Sequence, residues 1–140
     1  MTNNTLTLKE IKEEFLKCKN SCEYFTNNYI KVVHPMRGLV PFSLYPFQSK
    51  ILRDFQDYRL SILSKFRQAG CTTLMASYAL WFVLFQPNKK VAILSKGDAE
   101  ATEVVSRIRL MYDELPVWLQ PKTTKNNDHT LALENGSSIQ

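Results

Sequence analysis

The chain has 140 residues and a mass of 16.2 kDa, enough for one domain with a hydrophobic core and too little for a two-domain enzyme. Apolar residues make up 44% and charged residues 22%, with 4 Gly and 6 Pro, which excludes wholesale disorder and fibrous repeats. Basic side chains outnumber acidic ones by 18 to 13, giving a net charge of +5 and a pI of about 9.2, a balance that points to an anionic partner such as a nucleotide or nucleic acid. The longest apolar run, Tyr78 to Phe85, is too short for a bilayer, which needs about 20 residues. Met1 to Asn4 carries no basic region followed by an apolar run, so no secretion signal is expected. An odd cysteine count, 3, argues against a disulfide framework and for a reducing compartment.

Thr7-Leu8-Lys9-Glu10 has the form of a capping box, and Leu8, Ile11, Phe15 and Leu16 recur at helical spacing, so a helix is predicted from about Leu8 to Cys18. A second short helix follows Ser21. Val32 to His34 and Gly38 to Ser43 read as short strands in a connector from which Pro35 and Pro41 exclude helix. Pro46 suits the first position of a helix running to Asp57, because its missing N–H and fixed φ cost nothing there.

After a turn at Asp57 to Arg59, Leu60-Ser61-Ile62-Leu63-Ser64 reads as a buried strand. A glycine turn at Gly70 leads into a helix from Thr72 to Phe85, apolar at almost every position and therefore expected to be covered on nearly all sides. The chain turns at Pro87-Asn88 and continues through a second apolar strand, Val91 to Leu94. A helix capped by Asp98 follows, with the stripe Ala101, Val104, Val105, Ile108, Met111, Tyr112 and Leu115. Strand, helix, strand, helix at this spacing predicts βαβ units in a parallel sheet. Asn135-Gly136, between two alternating runs, predicts a tight hairpin. The sequence ends as the second strand of that hairpin begins, so an N-terminal piece of a longer protein is expected.

Lys65-Phe66-Arg67-Gln68-Ala69-Gly70-Cys71-Thr72-Thr73 lies between the first predicted strand and the buried helix, where a phosphate-binding loop would sit. In the pattern G-x-x-x-x-G-K-[ST], backbone N–H groups and a helix N-terminus cradle phosphates while Lys and a hydroxyl serve the phosphate oxygens and Mg²⁺. Gly70 and Thr72 match the sixth and eighth positions, whereas Lys65 replaces the first glycine and Cys71 the lysine. The residues alone read equally as a plain strand-to-helix turn with Thr72 as cap. Upstream, Tyr45-Pro46-Phe47-Gln48 offers an aromatic and an amide suited to an adenine edge, or else a helix start with Phe47 packed inward and Gln48 solvated.

Taken together, the ordered segments resemble the large terminase subunit, the DNA-packaging motor of tailed bacteriophages, particularly of myoviruses. The resemblance rests on Tyr45-Pro-Phe-Gln48, Arg67-Gln68-x-Gly70-x-Thr72-Thr73, the stretch Val91 to Leu115, Leu115-Pro116 with Leu119-Gln120-Pro121, and Leu133-Glu-Asn-Gly-Ser-Ser138. It implies a P-loop NTPase fold of the RecA/ASCE type, three layers around a mainly parallel sheet, truncated, with an N-terminal helical segment and connector over residues 1–44 and a partial ATPase domain over residues 45–140. Tyr45 and Gln48 would belong to adenine recognition. Lys65, Arg67, Gln68, Gly70, Cys71, Thr72 and Thr73 would form Walker A, with Thr72 on Mg²⁺ and Lys65 or Arg67 standing in for the lysine that Cys71 replaces.

The implied cofactors are ATP and Mg²⁺. The implied partners are double-stranded DNA, the portal protein and the small terminase subunit, in the cytoplasm of a bacterial host. The Walker B carboxylates, the catalytic glutamate and the nuclease domain fall outside this sequence, so the fragment contains no catalytic residue, is expected not to turn over ATP and is open to self-association. The rival reading is a non-catalytic module of the same fold that binds DNA or a partner protein.

Other residues have plainer readings. Cys18 and Cys22, with His34 further on, are too few for a tetrahedral zinc site. Cys71 at a helix start reads as either a reactive or an inert buried thiol. His129 reads as solvated, Trp118 as a packing anchor, and Glu103 with Arg107 as a surface pair.

Overall fold

The computed structural model describes residues 6–140; the reading of Met1 to Asn4 therefore lies outside the described residues. Helix α1 spans Leu8–Asn20, and its capping box forms as the sequence predicts: Glu10 N–H donates to Thr7 Oγ1 at 3.3 Å and Thr7 N–H donates back to Glu10 at 2.7 Å. Ser21 closes α1 and caps α2, Cys22–Tyr29, by accepting from Tyr24 N–H. Strands β1, Lys31–His34, and β2, Gly38–Pro41, form an isolated antiparallel hairpin. Helix α3, Pro46–Asp57, has Pro46 at its first turn as expected.

Helix α4, Cys71–Phe85, buries ten of its 15 residues, and its apolar circumference explains why. It packs against α2, α3, α5 (Asp98–Asp113), β3 (Lys90–Val91) and β6 (Ser138–Ile139). Phe85 meets Phe15 and Phe25 edge-on with centroids 5.2 and 5.6 Å away. Three polar contacts fix the helix in rotation. Trp81 Nε1 donates to Cys18 O at 2.8 Å, the Thr26 and Ser77 hydroxyls meet at 2.7 Å with both residues fully buried, and Tyr78 Oη donates to Phe55 O at 2.9 Å. Burying those groups without partners would cost roughly 1–3 kcal/mol each.

The expected three-layer P-loop fold around a mainly parallel sheet is not what forms. The principal sheet has four strands in the order β3-β6-β5-β4, with β5 at Leu131–Leu133 and β4 at Thr123–Asn126; only β3 and β6 run parallel. Leu60 to Ser64 joins no sheet: Leu60 is 86% and Ile62 101% exposed, because no neighbouring strand takes up their backbone groups. In place of the predicted strand Val91 to Leu94 only Lys90–Val91 forms, its pairing with β6 flanked by Ser138 N–H donating to Lys89 O and Ile93 N–H donating to Gln140 O. Leu94 is 93% exposed. Asp98 is the first residue of α5 rather than its cap, which is Gly97.

The Asn-Gly hairpin is present, and its turn is fastened to the C-terminal end of α4. Asn135 Nδ2 donates to Val83 O at 2.8 Å and Ser137 Oγ to Gln86 O at 2.7 Å, so the turn satisfies carbonyls that a helix end leaves without partners. Among the described residues no helix is long and apolar enough to cross a membrane.

Candidate functional site

Two segments distant in sequence meet at the start of α4, and one buried side chain joins them. Gln48, third residue of α3, accepts from Tyr45 N–H at 3.0 Å through Oε1 and donates to Ala69 O at 3.1 Å through Nε2. It is 2% exposed. The first contact satisfies one of the free N–H groups at the head of α3, and the second anchors the loop from Phe66 to Gly70. Gly70 is directly beneath: it has φ +72°, and a Cβ there would lie 2.8 Å from Gln48 Nε2. Gln68 also adopts a left-handed conformation, φ +63°, so the loop curls tightly before α4 begins.

Gly70 is the N-cap of α4 and brings no side-chain cap. The first N–H groups of the helix therefore face outward with the positive end of the helix dipole. Lys65, Arg67, Gln68 and Thr72 are exposed around this end, and among the described residues neither Lys65 nor Arg67 is in an ion pair. Cys71 is buried, 3% exposed, so its side chain is in the core and not at the mouth of the loop. Thr73 turns away from the loop: its hydroxyl accepts from Arg107 Nη1 at 3.3 Å, and Arg107 in turn pairs with Glu103 at 2.5 Å. A cleft of about 240 Å³ opens on that other flank, between β1 and α5.

The aromatic reading is corrected in one respect. Phe47 is the solvent-facing residue, 41% exposed, while Gln48 is buried, the reverse of a helix start with Phe47 inside and Gln48 solvated. Tyr45 and Phe47 stack with planes 5° apart and centroids 5.9 Å apart, and Phe66, from the loop, tilts against Phe47 at 6.1 Å. The three rings form an exposed apolar ledge beside the loop. Phe66 was named in the sequence only as part of the loop; the signal lay in its standing between the loop's two cations, Lys65 and Arg67.

Nine residues were expected at the site. Of these, Gln48 bonds Tyr45 N–H and the loop at Ala69 O, Gly70 caps α4, Lys65, Arg67, Gln68 and Thr72 are exposed, and Cys71 and Thr73 lead elsewhere. Thr72 is exposed, and among the described residues no cluster of His, Cys, Asp or Glu is placed to hold a metal ion.

The zinc-type grouping dissolves. Cys18 and Cys22 are fully buried, burial pushes both thiols up to about 12, and His34 Nδ1 instead accepts Met36 N–H at 3.1 Å. Trp118 packs edge-on against Tyr29 at 5.5 Å. His129 lies 3.9 Å from Asp98 and is largely exposed. No protein-family profile matches the chain.

Proposed function

We propose that the head of α4 with the loop before it is a phosphate site, that the Tyr45, Phe47 and Phe66 ledge takes the base of ATP, and that the chain contributes this site to a terminase-type DNA-packaging ATPase. The observation that carries the reading is the Gln48 bridge, which ties an aromatic ledge to a loop whose cations and helix N–H groups are free for an anion. Arg67 is permanently charged and suited to bidentate phosphate contact, and Lys65 supplies a second charge. Thr72 would contribute a ligand to Mg²⁺. Double-stranded DNA, a portal protein and a small terminase subunit are the partners this reading entails.

Gln48 acts in this arrangement through the loop: its Oε1 and Nε2 are each already engaged with backbone. The base is therefore held by stacking more than by an amide. The second reading, a module without nucleotide chemistry that binds DNA or a protein, is favoured by one observation, the burial of Cys71 at the position of the phosphate lysine.

Calorimetric titration with ATP and Mg²⁺ tests the proposal. Arg67→Ala and Lys65→Ala should each weaken binding by about tenfold to a hundredfold, the worth of a charge-assisted hydrogen bond of roughly 1.5–3 kcal/mol. ATP binding untouched by both substitutions would refute the phosphate site. DNA binding without any ATP binding would favour the module.

A further inference from the structure

We infer that the cleft between β1 and α5 is a docking groove for the carboxyl-terminal tail of a second protein, a tail that ends in an aliphatic residue and carries an acidic side chain shortly before it. The inference is independent of the nucleotide reading, since Thr73, the one cleft residue from the head of α4, turns away from the phosphate site. Lys31, Val32 and Val33 all line the cleft. Successive side chains of a strand point to opposite faces, so a cleft that touches all three lies along the edge of β1 and not on a face. That edge is free, because β1 pairs only with β2, on its other side. Phe42 N–H donates to Ile30 O at 2.8 Å, and the next partners are Lys31 with Pro41, Val32 with Val40 and Val33 with Leu39. Bonded and unbonded pairs alternate along an antiparallel ladder, so Lys31 and Val33 fall at unbonded places, as suits Pro41, which has no N–H. Their backbone N–H and C=O groups point away from β2 toward the cleft, and among the described residues no other group takes them up.

The chemistry of the lining selects the occupant. Leu110 and Met111 make an apolar floor, and the cleft holds about 240 Å³. That is room for about eight waters at roughly 30 Å³ each, hence for one or two aliphatic side chains and not for a nucleotide. A cation stands toward each end. Arg107 shares one end with the Thr73 hydroxyl, 3.3 Å away, and Lys31 pairs with Glu114 at the other. From residue 107 to 114, at roughly 1.5 Å each, the two ends are about 10 Å apart along α5. A terminal carboxylate fits the Arg107 end, where a guanidinium and a hydroxyl converge. An acidic side chain about three extended residues earlier, at roughly 3.3 Å each, then meets Lys31. Both cations are 45% exposed, and their present partners Glu103 and Glu114 hold them in surface pairs, which are weak and yield to a better-placed carboxylate. Main-chain bonds to the edge of β1 add affinity, and aliphatic side chains on the floor add specificity. The β1 edge of a second copy offers Lys31 and no carboxylate, so charge disfavours self-pairing.

The probe is a short synthetic peptide ending in aspartate, valine, serine and isoleucine with a free carboxylate, labelled for fluorescence anisotropy. The same peptide with an amidated end, and octanoate, serve as comparisons. The free-acid peptide should bind, lose affinity as salt is raised, and protect the amides of Lys31 and Val33 from hydrogen exchange, while the amidated peptide binds at least about tenfold more weakly. Val33→Pro deletes an edge donor that β2 does not use, and Arg107→Gln removes the charge at the carboxylate end; each should weaken binding at least about tenfold. Should Val33→Pro not fold, Arg107→Gln, at a half-exposed side chain, decides the question. No binding of the free-acid peptide, equal binding of the amidated one, or affinity unchanged by Arg107→Gln would overturn the inference. Octanoate binding as tightly as the peptide would overturn it by assigning the cleft to a small aliphatic acid. A concentration-dependent dimer abolished by Val33→Pro would overturn it too, by assigning the edge to a second copy.

Discussion

Gly70→Ala probes the joint between α3 and the loop more sharply than any change at the loop's charged residues. Two costs arise from one methyl group. The backbone at Gly70 is left-handed, φ +72°, where an L side chain costs about 1–2 kcal/mol. The new Cβ would also stand 2.8 Å from Gln48 Nε2. The end of a flexible side chain normally steps aside cheaply, but Gln48 is buried and engaged at both ends, to Tyr45 N–H and Ala69 O. Displacing it strands the Ala69 carbonyl, a loss of about 1–3 kcal/mol.

The sum predicts that Gly70→Ala destabilises the chain by about 2–5 kcal/mol in urea unfolding. With Gln48→Ala already in place only the backbone share remains, so the double-mutant cycle should show a coupling of about 1–3 kcal/mol. A Gly70→Ala variant within about 0.5 kcal/mol of the parent, or two strictly additive substitutions, would refute the reasoning.

Two further expectations concern the N-terminal helices. The Glu14 carboxyl is held below the ordinary value of 4.5 by hydrogen bonds from Lys17, then Tyr29 and Tyr24. A depressed folded value means this stabilisation is complete above that ordinary value and drains away as pH falls through the lower one. Urea midpoints measured down the acid limb should therefore fall less steeply in Glu14→Gln, and an unchanged acid slope would show the cluster to be idle. Cys18 and Cys22, raised to about 12 by burial, should resist aromatic disulfide reagents at pH ~8 until denaturant is added. Rapid labelling of either thiol in the native protein would contradict the packing of α1 and α2.

Features that depend on a few adjacent residues were legible in the sequence. The Thr7 capping box, the start of α3 at Pro46 and the Asn135-Gly136 turn each carry their own chemistry, and each forms where the pattern places it. Leu60 to Ser64 was legible only as a strand former, because whether apolar residues become a strand is decided by a neighbour elsewhere in the chain. The same dependence explains Phe47 and Gln48. The rotation of α3 is set by the bond from Gln48 to Ala69 O, across 21 residues, and that bond turns the amide inward and the phenyl ring outward. Cys71 was read as the loop residue before a helix starting at Thr72, with its burial left open; it is the first residue of α4 and buried, and α4 offers no polar face from which its rotation could be read.

The fastening of the last turn onto α4 has a bearing on biosynthesis. Asn135 reaches Val83 across 52 residues, so the end of α4 stays without its partner until those further residues have been made. At a translation rate of about 5–20 residues per second, that interval lasts roughly 3–10 s. Throughout it, a helix apolar on nearly every side awaits the strand β6 and the turn that cover its far end. The nascent chain is then a natural client for a holding chaperone, and a ribosomal pause between Gln86 and Asn135 would be costlier to yield than one before α4 has formed.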